Sequence, residues 1–183
     1  MGSPKAKFPV ALVRHPQPDI APGVCYGRLD MELTTDGLQA VATIAAALAD
    51  FAAVAIWCSP ALRCRAVADT LATLHVLTPR IDARLQELDF GDWERRAWNG
   101  IPRTALDQWA ASPLGFAPPG GETGAALLAR VTAVHTDLLA RTGPVIIVSH
   151  GGPLKLLAAL LRGAPVDLLA PAPALGSITI ITP

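Results

Sequence analysis

The chain has 183 residues, 51% of them hydrophobic and 16% charged, a composition that excludes intrinsic disorder and predicts a single domain spanning residues 1–183. Fifteen basic and fifteen acidic residues give a formal net charge of zero. This balance argues against a surface that binds nucleic acid or membranes, so we expect neither as a partner. Residues 1–7 lack the apolar core of a secretion signal, which predicts a flexible start and a cytoplasmic location.

Apolar runs and helical periodicity alternate along the chain. Strands are predicted over residues 8–13, 53–58, 81–85, 145–149 and 177–181. Helices are predicted from a cap at Thr34 or Thr35 to about residue 49, from Pro60 to about residue 74, near residues 104–111, and over residues 122–141 and 153–161. This alternation predicts a three-layer α/β/α sandwich with a mostly parallel central sheet.

Two further features bear on the organisation of the domain. Residues 93–117 carry three of the four tryptophans and are predicted to form a lid-like excursion with one helix. The cysteines match no zinc-site spacing, so we expect buried free thiols at Cys25, Cys58 and Cys64.

Two of the predicted strands end abruptly in a histidine. The first runs into Arg14 and His15, and the second into Ser149, His150 and Gly151. In open α/β sheets, ligands bind outside the carboxyl ends of the strands. If the two strands are neighbours, both imidazoles therefore face one pocket.

Three more segments complete a pattern that resembles the histidine phosphatase superfamily, whose fold is also called phosphoglycerate-mutase-like. They are Ser-Pro-Ala-Leu-Arg at residues 59–63, Leu-Gln-Glu-Leu-Asp-Phe-Gly-Asp-Trp-Glu at residues 85–94, and Gly-Gly-Glu at residues 120–122. The resemblance covers nearly the whole chain. It implies a metal-independent phosphomonoesterase that needs no cofactor and acts on a small-molecule phosphomonoester.

The resemblance also implies a role for individual residues. His15 becomes phosphorylated transiently, while Arg14, Arg63 and His150 hold the phosphoryl group. Residue chemistry agrees, because neighbouring guanidinium groups favour a neutral, nucleophilic imidazole and bind phosphoryl oxygens bidentately. Backbone N–H groups at the strand-to-helix junction favour anions, which adds Gly151 to the predicted substrate-binding residues.

Glu87 matches the family's general acid, which protonates the leaving oxygen and then activates water. Asp89 and Glu94 are competing carboxylates nearby. Glu122 is open to two interpretations: a carboxylate stabilised at a helix N-terminus, or a site residue.

The sequence departs from the family at one position and points to a branch at others. Many members have a phosphate-contacting asparagine six residues after the histidine, where this chain has Ala21. That contact is therefore absent or supplied by another group, such as Arg28 or a backbone N–H. The pattern over residues 14–30 and the Pro-Pro-Gly-Gly-Glu stretch at residues 118–122 resemble the alpha-ribazole-phosphatase-like branch.

The sequence leaves the substrate and the oligomeric state open. Trp93, Trp98 and Trp109 either pack the excursion onto the sheet or offer a flat surface to a substrate such as alpha-ribazole 5′-phosphate. Two other functions are compatible with the motifs: a phosphoglycerate mutase, which usually has a longer chain, and a non-catalytic phospho-ligand-binding module. The oligomeric state is not fixed, and a homodimer is one option.

Overall fold

A computed structural model describes residues 7–182 of the chain. Apart from Lys7, the segment predicted to be flexible lies outside these residues. The strands are β1 Val10–Arg14, β2 Ala55–Cys58, β3 Arg80–Ile81, β4 Val145–Ser149 and β5 Ile178–Ile181. The helices are α1 Thr35–Ala47, α2 Leu62–His75, α3 Arg103–Ala111, α4 Gly124–Leu139 and α5 Gly151–Arg162.

The strands form one sheet in the order β3-β2-β4-β1-β5. Strands β1, β2, β3 and β4 pair in parallel, and only the edge strand β5 runs antiparallel to its neighbour β1. Arg14 lies opposite Ser149, and Cys58 lies opposite Val148. The carboxyl ends of β1, β2 and β4 therefore meet at one edge of the sheet.

Alternate residues of each strand face opposite sides of the sheet, because successive side chains in a strand point to opposite faces. Val10 and Leu12 of β1 pack in the core cluster that contains the buried faces of α4 and α5. Ala11 and Val13 pack in the cluster that contains the buried faces of α1 and α2. The predicted three-layer α/β/α sandwich with a mostly parallel sheet is confirmed.

Local capping chemistry sets two of the element boundaries. Thr34 caps α1, since its Oγ1 accepts a hydrogen bond from Gly37 N at 3.0 Å. The predicted strand over residues 81–85 is wrong beyond Ile81. There the carboxylate of Asp82 accepts a hydrogen bond from Arg84 N at 3.0 Å and starts a 3₁₀ turn at Ala83–Leu85. Helix α2 begins at Leu62, two residues after the predicted Pro60.

The cysteines are free and buried, as predicted. Burial raises the pKa of the Cys25 and Cys64 thiols to about 12, so neither is a thiolate at neutral pH. Among residues 7–182, no helix is both long enough and apolar enough to cross a membrane.

The excursion at residues 93–117 is held by an aromatic cluster. Trp93 is 2% exposed and belongs to the core, so it has no surface to offer a ligand. Trp98 and Trp109 are partly buried and stack with a ring separation of 6.2 Å and an interplanar angle of 10°. Phe90 meets the edge of this pair, with its ring centre 5.3 Å from that of Trp98. The packing interpretation therefore holds for Trp93, whereas Trp98 and Trp109 keep part of their surface free.

Candidate active site

The carboxyl ends of β1 and β4 bring the two predicted histidines together. His15 follows β1 and His150 follows β4, and each is 1% exposed. Their ring centres are 5.1 Å apart in an edge-to-face arrangement. The register of the two strands produces this contact, because residues opposite each other in a parallel pair end at the same level.

The hydrogen bond of His15 to Pro16 selects one tautomer of its imidazole. Nδ1 of His15 lies 2.7 Å from the carbonyl oxygen of Pro16. A carbonyl oxygen only accepts, so Nδ1 carries the proton and Nε2 carries the lone pair. Nε of Arg63 lies 3.4 Å from this Nε2. The unprotonated nitrogen therefore faces a fixed positive charge.

Both imidazoles are neutral near pH 7. Burial, followed by the charge of Arg63 and then that of Arg14, lowers the pKa of His15 to about 3. Burial and the charge of Arg63 likewise lower the pKa of His150 well below its usual value. A histidine needs an unprotonated ring nitrogen to act as a nucleophile, and the site supplies it.

Arg63 is fully buried and held by two backbone carbonyls. Its Nη2 donates to Gly27 O at 2.7 Å, and its Nη1 donates to Leu29 O at 2.9 Å. Nη2 also lies 3.2 Å from Nδ1 of His150. A guanidinium only donates, so Nδ1 accepts and Nε2 of His150 donates to Ser59 Oγ at 2.8 Å. Arg63 thus bridges both histidines.

The guanidinium of Arg14 has an N–H donor that no described residue satisfies. Its Nη1 donates to Pro173 O at 2.5 Å. Its Nε is buried and has no hydrogen-bond partner within residues 7–182. A Cβ at Gly151 would lie 3.2 Å from Cζ of Arg14, so the glycine permits this close approach. A buried donor without a partner is costly unless a ligand satisfies it, and an anion would do so.

Glu87 sits against the N-terminus of α5. Its Oε1 accepts a hydrogen bond from Leu88 N at 2.9 Å, and its Oε2 accepts one from Gly152 N at 3.1 Å. The carboxylate therefore takes one of the backbone donors that sequence analysis expected to face a ligand anion. Glu87 lines two cavities, one shared with Arg14 and the other with Arg63 and His150.

The competing carboxylates have other partners. Both oxygens of Glu94 accept backbone hydrogen bonds, from Arg28 N at 2.8 Å, Leu29 N at 2.6 Å and Phe90 N at 3.2 Å. Asp89 accepts from Gly91 N at 2.9 Å, and its other oxygen lies 3.8 Å from Nε of Arg28. Both side chains therefore organise loops around the site.

Arg28 lies at the edge of the smaller cavity, which has a volume of about 70 Å³ and also includes Arg63, Glu87 and His150 in its wall. Its guanidinium points toward Asp89 and lies 3.5 Å from Glu122. Ala21 is exposed on the loop between β1 and α1.

The larger of these two cavities has a volume of about 280 Å³ and extends under the excursion. Arg14, Glu87 and Gly151 form its polar end, and Trp98 and Trp109 form part of its apolar wall. Its other lining residues are Tyr26, Leu88, Phe90, Pro113, Gly124, Leu127, Gly152, Lys155, Leu168 and Ala172.

Sequence reasoning missed Tyr26 and Lys155 in this wall. Tyr26 belongs to the branch pattern at residues 14–30, and Cζ of Arg63 lies 5.5 Å from its ring centre. Lys155 lies four residues after Gly151 on α5, a spacing that puts both on one helix face. Its ammonium donates to Leu168 O and Ala170 O, which holds this segment over the cavity.

His75 and His135, predicted to be structural or exposed, lie in α2 and α4 outside the two cavities described above. Within the described part of the chain, no cluster of three or more His, Cys, Asp or Glu side chains could hold a metal ion.

A family model described as the histidine phosphatase superfamily (branch 1) matches residues 10–183. The chain belongs to this superfamily. This histidine phosphatase is accordingly a phosphoric monoester hydrolase, and the family and enzyme class predicted from the motifs are confirmed.

Relatives of the histidine phosphatase include a glucosyl-3-phosphoglycerate phosphatase of Mycobacterium tuberculosis. It is 29% identical over 188 residues, which cover 92% of this chain and 80% of the relative. A mycobacterial glucosyl-3-phosphoglycerate phosphatase solved with inorganic phosphate superposes with a TM-score of 0.82 at 28% identity, covering 94% of this chain and 88% of that one. The alpha-ribazole phosphatase of Shigella flexneri superposes with a TM-score of 0.82 at 25% identity, with 94% and 89% covered. This last neighbour agrees with the predicted branch.

Proposed function

We propose that this histidine phosphatase hydrolyses phosphomonoesters without a metal ion, through a phosphohistidine formed at Nε2 of His15. One observation carries the proposal: Nε2 is unprotonated, buried and 3.4 Å from the guanidinium of Arg63. The guanidinium groups of Arg14 and Arg63 supply the positive charge that a transferring phosphoryl group needs, and the buried Nε of Arg14 is a donor without a partner within residues 7–182. His150 packs edge-on against His15, with its ring nitrogens hydrogen-bonded to Arg63 and Ser59. A divalent cation is disfavoured between these two guanidinium groups.

Two displacements at phosphorus complete the reaction. In the first, the lone pair of Nε2 attacks phosphorus, the ester P–O bond breaks, and Glu87, which enters this step as the protonated acid, gives its proton to the departing oxygen. In the second, a water attacks the phosphohistidine while Glu87 takes a proton from it. The P–N bond breaks, inorganic phosphate is released, and both His15 and Glu87 return to their starting states.

Trapping the intermediate tests this mechanism. We expect wild-type protein quenched during turnover of a ³²P-labelled monoester to carry acid-labile, base-stable phosphate. His15→Ala should carry none and should not turn over, whereas His75→Ala, which changes a histidine outside the site, should keep both. Label that persists on His15→Ala would remove His15 as the nucleophile. Phosphate binding without turnover in the wild type would favour the phospho-ligand-binding module.

We further propose alpha-ribazole 5′-phosphate as a substrate. The leaving group of a monoester held at His15 would enter the larger cavity, beside the partly buried rings of Trp98 and Trp109. Base–aromatic stacking contributes about 1–3 kcal/mol per contact, which suits a nucleotide-like leaving group. The Shigella flexneri neighbour, named an alpha-ribazole phosphatase, supports the choice. The mutase alternative predicts dependence on 2,3-bisphosphoglycerate, which the proposed mechanism does not need.

A further inference from the structure

The segment that carries Glu87 has little regular structure of its own. After the 3₁₀ turn at Ala83–Leu85, the chain runs through Gln86 to Glu87 without entering a helix or a strand. A loop of this kind places a carboxylate poorly unless its backbone is tied down, because each residue keeps its own freedom in φ and ψ.

One side chain ties this backbone to α4. The guanidinium of Arg130 donates from Nη1 to Arg84 O at 2.7 Å and to Gln86 O at 2.5 Å. Its Nη2 donates to Glu87 O at 2.9 Å. Three carbonyl groups within four residues therefore share one planar donor group, and the last of them belongs to Glu87 itself.

The remaining donors of Arg130 bind Glu122. Nε lies 2.8 Å from Oε1 of Glu122, and Nη2 lies 2.9 Å from its Oε2. The two side chains are only 14% and 11% exposed. All five N–H donors of the guanidinium are thus used, so its position is fixed on every side. Because Arg130 binds both of its carboxylate oxygens, Glu122 can be mostly buried.

Arg130 does not bind the carbonyl of Leu85, which instead accepts a hydrogen bond from a residue of the sheet. Ser149 Oγ donates to Leu85 O at 2.6 Å, and Ser149 directly precedes His150 on β4. The four carbonyls of residues 84–87 are consequently all bound. The backbone of the general acid is joined to the strand that carries the second histidine.

We propose that Arg130 is a positioning residue for Glu87, an inference that rests on the proposed role of Glu87 as general acid. Arg130 acts on the carbonyls of Arg84, Gln86 and Glu87 and leaves the phosphoryl group to Arg14 and Arg63. Lysine cannot replace it, because an ammonium offers three donors and no planar fork. Loss of the fork lets the Glu87 carboxylate drift from the departing oxygen.

Leaving-group dependence tests the proposal. For Arg130→Lys, kcat/KM on an alkyl phosphate should fall at least about 10-fold more than kcat/KM on p-nitrophenyl phosphate, since a general acid contributes about 10²–10⁴-fold where a proton is needed. The ratio of the two substrates is the readout because a general loss of structure lowers both rates together. In a Glu87→Gln background, Arg130→Lys should not change this ratio further.

Arg84→Lys is the matched control. Arg84 belongs to the same segment and pairs with Asp82 and Asp137, away from the carboxylate of Glu87. Its substitution should leave the substrate ratio within about 2-fold of wild type. Glu122→Gln, which loosens the clamp from its other end, should shift the ratio in the same direction as Arg130→Lys, and it serves as the second variant if Arg130→Lys does not fold.

The outcomes separate the two claims. If Glu87→Gln shifts the ratio but neither Arg130→Lys nor Glu122→Gln does, Arg130 is not a positioning residue and the proposed function stands. If Glu87→Gln itself lowers both substrates equally, the acid assignment fails and the inference about Arg130 falls with it. Additive effects of Arg130→Lys and Glu87→Gln on the ratio would also overturn the inference.

Discussion

Oε2 of Glu87 accepts a hydrogen bond from the backbone N–H of Gly152 at 3.1 Å. Gly152 is the second residue of α5, where backbone N–H groups lack partners within the helix and the helix dipole favours negative charge. The N-terminus of α5 thus holds the side chain of Glu87 in place, and the position of the proposed proton donor depends on a residue that has no side chain.

Gly152→Ala should displace Glu87. A Cβ at this position would lie 2.2 Å from Oε1 of Glu87, which is a steric clash between non-bonded atoms. Misplacement by about 1 Å can cost on the order of 10²-fold in rate, so we expect kcat/KM on an alkyl phosphate to fall at least about 10-fold. Gly100→Ala is the control, because nothing lies within 4 Å of its added Cβ. Equal activity of the two variants would contradict the packing seen here.

Glu87→Gln should affect poor leaving groups most. An alkoxide needs a proton as it departs, whereas p-nitrophenolate hardly does, and general acids contribute about 10²–10⁴-fold. The measurement is kcat/KM, which reports the steps up to leaving-group departure and omits hydrolysis of the phosphohistidine. A similar loss on both substrates would transfer the acid role to Asp89 or Glu94.

The buried neutral histidines should make stability fall with acid. Below pH 6.5 the unfolded chain takes up a proton at His15, while the folded protein keeps this imidazole neutral down to about pH 3. The stability is therefore fully present above pH 6.5 and is lost as pH falls toward 3. The measurement is the free energy of unfolding in urea at pH 7 and at pH 5. Between these two values of pH, His15→Asn should lose about 2 kcal/mol less of this free energy than the wild type loses. Parallel losses would show that His15 is protonated in the folded state.

EDTA should leave activity unchanged. His15, His150 and Glu87 already take part in the hydrogen bonds described above and in the proposed reaction, and the guanidinium groups of Arg14 and Arg63 would repel a divalent cation. Activity on p-nitrophenyl phosphate before and after chelation is the measurement. A large loss that added Mg²⁺ or Zn²⁺ restores would refute the metal-independent mechanism.

Trp98→Ala should lower the preference for a nucleotide-like substrate. We expect wild-type kcat/KM to be higher for alpha-ribazole 5′-phosphate than for 3-phosphoglycerate, and the variant to lose about 10-fold of this preference, as loss of one stacking contact of about 1–3 kcal/mol implies. Leu114→Ala, at an exposed position of the same excursion, should keep the preference. Glucosyl-3-phosphoglycerate should be assayed beside them, and a preference for either acidic phosphate would overturn the substrate proposal.

Sequence patterns predicted which residues the fold brings together in the candidate site, because two of its parts follow directly from strand ends. Apolar runs that stop at Arg14-His15 and Ser149-His150 predict neighbouring imidazoles once the strands are parallel. The roles of Glu94 and Arg130 could not be predicted in this way. Glu94 accepts hydrogen bonds from the backbone N–H groups of Arg28 and Leu29, which are distant in sequence. Arg130 donates to the carbonyls of Arg84, Gln86 and Glu87. Such partners depend on loop conformation, which side-chain periodicity does not encode.

The place of β1 in the sheet sets the order in which the site can be assembled. β1 lies between β4 and β5, so His15, although near the start of the chain, donates to Ser149 O and accepts from Gly176 N. During synthesis β1 therefore emerges before both of the strands that flank it, and it stays without these neighbours until β4 and β5 have followed. Contacts of such large sequence separation slow folding and leave an apolar strand open to aggregation in the meantime. The candidate site is accordingly complete only after β4 and β5 have both been synthesised.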